Sequence, residues 1–155
     1  MLDIFYKKDD LIIQNSEKKE LSFNTLDLSI TIDWFPVSHP WEYEKSGILL
    51  EVKEYNEKLF YNFLIDGKHL VIVPYDNFEI KEDILSFFWD VDILIILGSK
   101  EGAKAFENIE ARMVIPYWEW KDIFLNTLWQ HSEEVDNYKV KAELPIDSTL
   151  FINLV

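Results

Sequence analysis

Three histidines, His39, His69 and His131, are the side chains of this sequence best suited to metal binding or to general-base work near neutral pH. They lie far apart along the chain, and none has a second His or a carboxylate at an i, i+4 step, so no zinc-type spacing forms. A shared metal would need them to converge in three dimensions. Asp90-x-Asp92 could offer two oxygens to a hard cation, but the glycine of an EF-hand loop does not follow. Its plainer reading is a polar turn ahead of a buried strand. Nucleophilic chemistry has little to stand on: there is no cysteine and no Gly-x-Ser-x-Gly elbow. Gly98-Ser99-Lys100-Glu101-Gly102 keeps a lysine but lacks the rest of a phosphate-binding loop. No metal and no cofactor is expected from these residues. A carboxylate or His39 hydrolase stays as an alternative.

Binding chemistry is better represented. Phe35-Pro36-Val37-Ser38-His39-Pro40-Trp41-Glu42-Tyr43-Glu44 sets aromatics among acids and between two prolines. Trp and Tyr bury large area at small rotamer cost, and proline preorganises the backbone that presents them. Tyr117-Trp118-Glu119-Trp120 is a second such stretch. The candidate partner-binding residues are Asp33, Trp41, Glu42, Tyr43, Glu44, Asp90, Asp92, Trp118 and Glu119. The alternative for Trp41 and Tyr43 is that they fold back to cover the sheet.

Charge says what such a surface would meet. The 155 residues carry 29 acidic and 15 basic side chains, a net charge of −14, which repels nucleic-acid phosphates and anionic membranes. The same field speeds the encounter with a basic protein. Acidity that serves solubility alone is the competing explanation. With no cysteine, disulfides are out and the fold must rest on packing. Neither a secretory leader nor an apolar run of membrane-spanning length is present, so a cytoplasmic protein is expected.

The elements that must position these residues read as one α+β domain over 1–155, a largely antiparallel sheet of about four to six strands with a few helices packed on it. Leu2–Tyr6 and Leu11–Ile13 flank a polar turn and predict a hairpin. Apolar residues alternate from Leu26 to Trp34, which predicts one half-buried strand. Pro36 and Pro40 then bracket an irregular loop from Phe35 to Gly47. Ile48–Tyr55 predicts the next strand. Leu59–Ile65 and His69–Val73 surround Asp66-Gly67, the pair that type I′ hairpin turns prefer. Lys81–Trp89 reads as a short helix, Val91–Leu97 as a buried strand, Lys100–Ile109 as a helix and Arg112–Ile115 as a strand. Beyond Pro116, the spacing of Tyr117, Trp120, Phe124 and Leu128 predicts the longest helix, ending near Glu134 to Asn137. Tyr138–Leu144 and Leu150–Val155 look like strand material.

In size, acidity and lack of cysteine, and in the acidic and aromatic stretches Asp33-Trp34, Trp41-Glu42-Tyr43-Glu44, Asp90-Val91-Asp92 and Trp118-Glu119, the chain resembles bacterial immunity proteins, especially those of contact-dependent growth inhibition systems. The resemblance implies an inhibitor, not an enzyme, that binds a basic toxin domain, often a nuclease, and blocks its active site. No residue is carried over by motif. A nuclease must be basic to hold phosphate, so carboxylates can take the place of its substrate. A small adaptor or structural partner protein is the other reading.

Overall fold

The computed structural model describes residues 1–75, 81–117, 121–130 and 132–155. In chain order the strands are β1 (Asp3–Lys7), β2 (Asp10–Gln14), β3 (Glu20–Asn24), β4 (Ile30–Ile32), β5 (Phe35–Val37), β6 (Glu42–Lys45), β7 (Ile48–Tyr55), β8 (Lys58–Ile65) and β9 (Lys68–Val73). Helix α1 (Glu82–Leu85) runs into a 3-10 turn at Ser86–Phe88, followed by β10 (Val91–Leu97), α2 (Lys100–Phe106), β11 (Ala111–Tyr117) and α3 (Lys121–Thr127). The chain finishes through β12 (Glu134–Val135), β13 (Asn137–Lys139), β14 (Leu150–Phe151) and β15 (Asn153–Leu154).

These strands make two large sheets. The first is antiparallel throughout, in the order β13-β1-β2-β3-β4-β5. The second, β14-β11-β10-β9-β8-β7-β6, is antiparallel from β6 to β9 and parallel from β9 to β14. The parallel pairs are where helices must cross over, since parallel strands cannot be joined by a tight turn. Accordingly α1 lies between β9 and β10, and α2 between β10 and β11. The result is an α+β fold, largely antiparallel sheet with short helices against it.

Period-two burial builds the two cores. Ile4, Ile13, Leu21, Phe23 and Ile32 of the first sheet meet Leu50, Phe63, Ile72, Ile95 and Ile115 of the second. The alternate residues of the second sheet, Phe60, Val71, Val73, Leu94, Ile96 and Val114, face Ile84, Phe88, Ala103, Phe106 and Phe124. Each Val, Leu, Ile or Phe among them contributes about 1.5–3 kcal/mol when fully buried. Central strands β9 and β10 are buried on both faces, which is why their sequences run apolar without a break. Among the described residues no helix is long and apolar enough to cross a membrane.

Several expectations hold. The hairpin β1–β2 forms, and β8–β9 turns on Asp66 (φ 49°) and Gly67 (φ 75°), as a type I′ turn requires. Others need correction. Leu26–Trp34 is not one strand. Asn24 Oδ1 accepts from the backbone of Leu26 and Asp27, and Leu28 takes φ 65°, so a turn uses up the first half of the alternating pattern. Only Ile30–Ile32 remain as strand, while β3 precedes that turn unforeseen. The expected loop Phe35–Gly47 instead contains two edge strands, β5 and β6.

The helix after Pro116 also differs. Val114 accepts from Ile152 on the β14 side, so the backbone of Pro116, two residues on, points the same way, past the end of β14. Its missing N–H breaks no bond to β10, and the strand continues to Tyr117, which is fully buried. Among the described residues helix α3 runs over Lys121–Thr127, so it stops short of the expected end near Glu134. Trp118, Glu119, Trp120 and His131 fall outside the described residues. Trp89, the last residue of the expected helix over Lys81–Trp89, is exposed, and Asp90 (φ 53°) turns the chain directly after it.

Candidate functional site

The chain passes from the first sheet to the second between β5 and β6, and both strands are the free edges of their sheets. The turn into β5 is Asp33-Trp34, with φ 45° and 68°. A two-residue turn with both φ positive is the type I′ geometry, where Asn-Gly or Asp-Gly is unstrained. Here a tryptophan takes the glycine position at a cost on the order of 1 kcal/mol. Its side chain is 84% exposed, so no packing offsets that strain. The turn out of β6, Ser46-Gly47, has the same form, with φ 55° and 80°.

The two turns are tied together across the layers. Ser46 Oγ donates to Asp33 Oδ2, and Lys45 Nζ donates to the Asp33 carbonyl at 2.7 Å. The Ser46 hydroxyl, with Lys19 and Lys45 nearby, holds the Asp33 carboxyl below its ordinary range despite some desolvation. Lys45 also stands 5.9 Å over the Phe35 ring, and Phe35 lies 6.2 Å from Tyr43. Tyr43 donates through its hydroxyl to the His39 carbonyl at 2.9 Å, and the hydroxyl oxygen accepts from the His39 N–H at 3.3 Å. Tyr43 therefore does turn inward and braces the loop. Trp41 does not: it is 72% exposed.

Register places the acids. Glu42 lies opposite Glu51, and Glu51 opposite Asn62, so two carboxylates and an amide form a row on the outer face of the second sheet. This part of the sheet lies beyond the helix-covered strands. A shallow depression of about 390 Å³ is lined by Pro40, Trp41, Glu42, Glu51 and Val52. A second, of about 250 Å³, continues past Glu42 and Glu51 to Leu49, Asn62 and His69. Neither is lined by Lys or Arg. Asn62 Oδ1 is closed off from solvent and accepts no hydrogen bond from any described group.

Asp90 and Asp92 belong elsewhere. Arg112, opposite Asp92 in the β10–β11 register, reaches Asp92 at 2.6 Å and Asp90 at 3.2 Å. The other Asp92 oxygen accepts the His69 backbone N–H at 2.9 Å. The pair thus staples β9, β10 and β11, with both Asp92 oxygens and one Asp90 oxygen engaged. Bonding to Asp92 raises the Arg112 guanidinium further above its ordinary range. Gly98 and Gly102 likewise have packing roles. A Cβ on Gly98 would sit 2.6 Å from the Tyr117 carbonyl oxygen, and one on Gly102 would sit 2.1 Å from that of Leu97. Ser99 Oγ accepts from Gly102 N–H and caps α2.

Of the sequence-derived candidates, the structure gathers Asp33, Trp41, Glu42, Tyr43 and Glu44 at one edge and separates Asp90 and Asp92 from them. Trp34, Phe35 and Glu51, which were not among the candidate partner-binding residues, join that edge. The Asp-Trp dipeptide directly after the β-branched run Ile30-Thr31-Ile32 was the available signal for Trp34.

Among the described residues, no three His, Asp or Glu side chains are grouped so as to hold a metal ion. No family model matches the chain, and no curated protein does. A solved structure from Thermotoga maritima, a proposed Zn-dependent hydrolase of the metallo-β-lactamase superfamily, matches over 98% of this chain and 99% of its own, with a TM-score of 0.72 at 13% identity. The described side chains do not fit the zinc centre that such a name implies: His39 and His69 have no grouped ligands, and Arg112 engages Asp90 and Asp92. What the two chains share is the fold.

Proposed function

We propose that this chain is an immunity-type inhibitor that neutralises a basic toxin domain, such as a nuclease, by docking it on the β5–β6 edge. The observation that carries the reading is Trp34: a strained, 84% exposed tryptophan whose turn is tied to Ser46 at one end of β6, while exposed Trp41 stands at the other end with the Glu42–Glu51 pair, and no ion pair engages Glu42, Glu44 or Glu51 among the described residues. Large aromatics supply the anchor, and the acids supply steering and selection for a basic surface. The net charge of −14 extends that steering beyond the contact itself.

The test is association with the basic toxin domain encoded beside this gene, measured at low and high salt. Tight binding that weakens as salt rises, and that falls at least tenfold in a Glu42→Lys/Glu44→Lys double variant, is the expected result. Binding that ignores both salt and charge reversal would overturn the reading. It would leave the acids to solubility alone, as in an adaptor.

A further inference from the structure

Strand β6 has an unusual combination of features for a sheet edge. Val52 N–H donates to the Trp41 carbonyl, so the polar backbone groups of Trp41, Tyr43 and Lys45 point to β7. Those of Glu42 and Glu44, the alternate residues, point outward, and no described group bonds to them. Such an edge is a template for another strand. Strand β5 is blunted by Pro36 at its centre, whereas β6 has no proline and, among the described residues, no helix across it.

We propose that β6 takes up an extended segment of the toxin as an eighth strand of the second sheet, and that this segment carries Lys or Arg at alternate positions. The inference rests on the reading above and names its mode of recognition. Backbone bonds to Glu42 and Glu44 supply the pairing. On the outer face, a basic side chain opposite Glu42 reaches the Glu42–Glu51 pair with its charge. The alternate side chains of the added strand fall on the Trp41 and Tyr43 side, where apolar residues fit. A second copy of this chain is the poorer occupant. Antiparallel self-pairing centred on Tyr43 sets Glu42 against Glu44 twice, between bodies that each carry −14.

The test uses the full chain, isotope-labelled, and the synthetic peptide acetyl-Lys-Val-Lys-Val-Lys-amide. Glu44→Gln removes the charge and keeps the outward N–H. Glu44→Pro removes both, at a position where no ladder bond to β7 is lost. Circular dichroism establishes that each variant is folded. We expect slowed exchange of the Glu42 and Glu44 amides when peptide binds, and binding to Glu44→Pro about fivefold weaker than to Glu44→Gln, the equivalent of one hydrogen bond. A peptide N-methylated at alternate residues should fail to bind at equal charge. Equal binding by the two variants and by the N-methylated peptide would overturn strand addition. So would absence of binding by the native chain, which leaves the acids as guards against self-pairing. Neither outcome touches toxin docking itself, which fails separately if charge reversal leaves toxin-domain binding unchanged.

Discussion

Glu42 and Glu51 stand directly across the β6–β7 ladder from each other, with no lysine or arginine lining the surface between them. Like charges in this position destabilise a sheet by roughly 0.2–1 kcal/mol. Glu51→Gln should therefore raise the urea midpoint of the free protein while weakening its association with a basic toxin domain. A lower midpoint would mean that the pair is not in repulsion.

Trp34 makes a parallel prediction about strain. Glycine is free to adopt φ 68°, so Trp34→Gly should stabilise the chain by about 1 kcal/mol, read as an increase in melting temperature. The same substitution removes an anchor, and partner affinity should fall by tenfold or more. Stability and binding moving in opposite directions would separate a recognition residue from a structural one.

Gly98 should tolerate no side chain. A Cβ there would lie 2.6 Å from the Tyr117 carbonyl oxygen and 2.8 Å from Lys121 Cα, both backbone atoms that cannot swing aside. Gly98→Ala should cost about 1–3 kcal/mol, as forced overpacking does. Denaturant titration checks this, with Gly47→Ala as the contrasting site where space is open and only φ is unfavourable.

Alkaline pH should weaken the fold in a defined window. Burial pushes the Tyr6 and Tyr61 hydroxyls up to about 12. The unfolded chain gives up these protons near pH 10, roughly two units earlier. The stability they contribute is complete below about pH 10 and drains away as pH rises toward about 12. A Tyr6→Phe/Tyr61→Phe variant keeps the rings but not the titration, so its urea midpoint should fall less steeply across that range. Parallel slopes for the two proteins would contradict the assignment.

Local chemistry made part of this fold readable in the sequence. Asp66-Gly67 specifies its own turn, and the apolar run from Ile93 to Leu97 needs burial on both faces wherever it lies. Alternation from Leu26 to Trp34 misled because the side chain of Asn24 offers the backbone a turn, and period two cannot register a positive φ at Leu28 or Asp33. Pro36 suggested a loop, yet an edge strand accommodates proline. At the site, Trp41, Glu42 and Glu44 were legible as an acidic, aromatic stretch. Glu51 was not, because its place opposite Glu42 depends on the Ser46-Gly47 turn. Nor was the role of Arg112, since only parallel registry brings it against Asp92.

The way β13 joins the first sheet has a kinetic consequence. From Asp3 to Val37 that sheet is a meander whose strands pair with their immediate sequence neighbours, so its contacts close short loops. Its remaining edge pairs Asp3 with Lys139 and can form only when almost the entire chain has been brought round. Loop-closure entropy sets the order of such events. The meander can assemble early, while the β1–β13 seam zips last and opens first, making it the place where native-state hydrogen exchange should find the least protected strand pair of the first sheet.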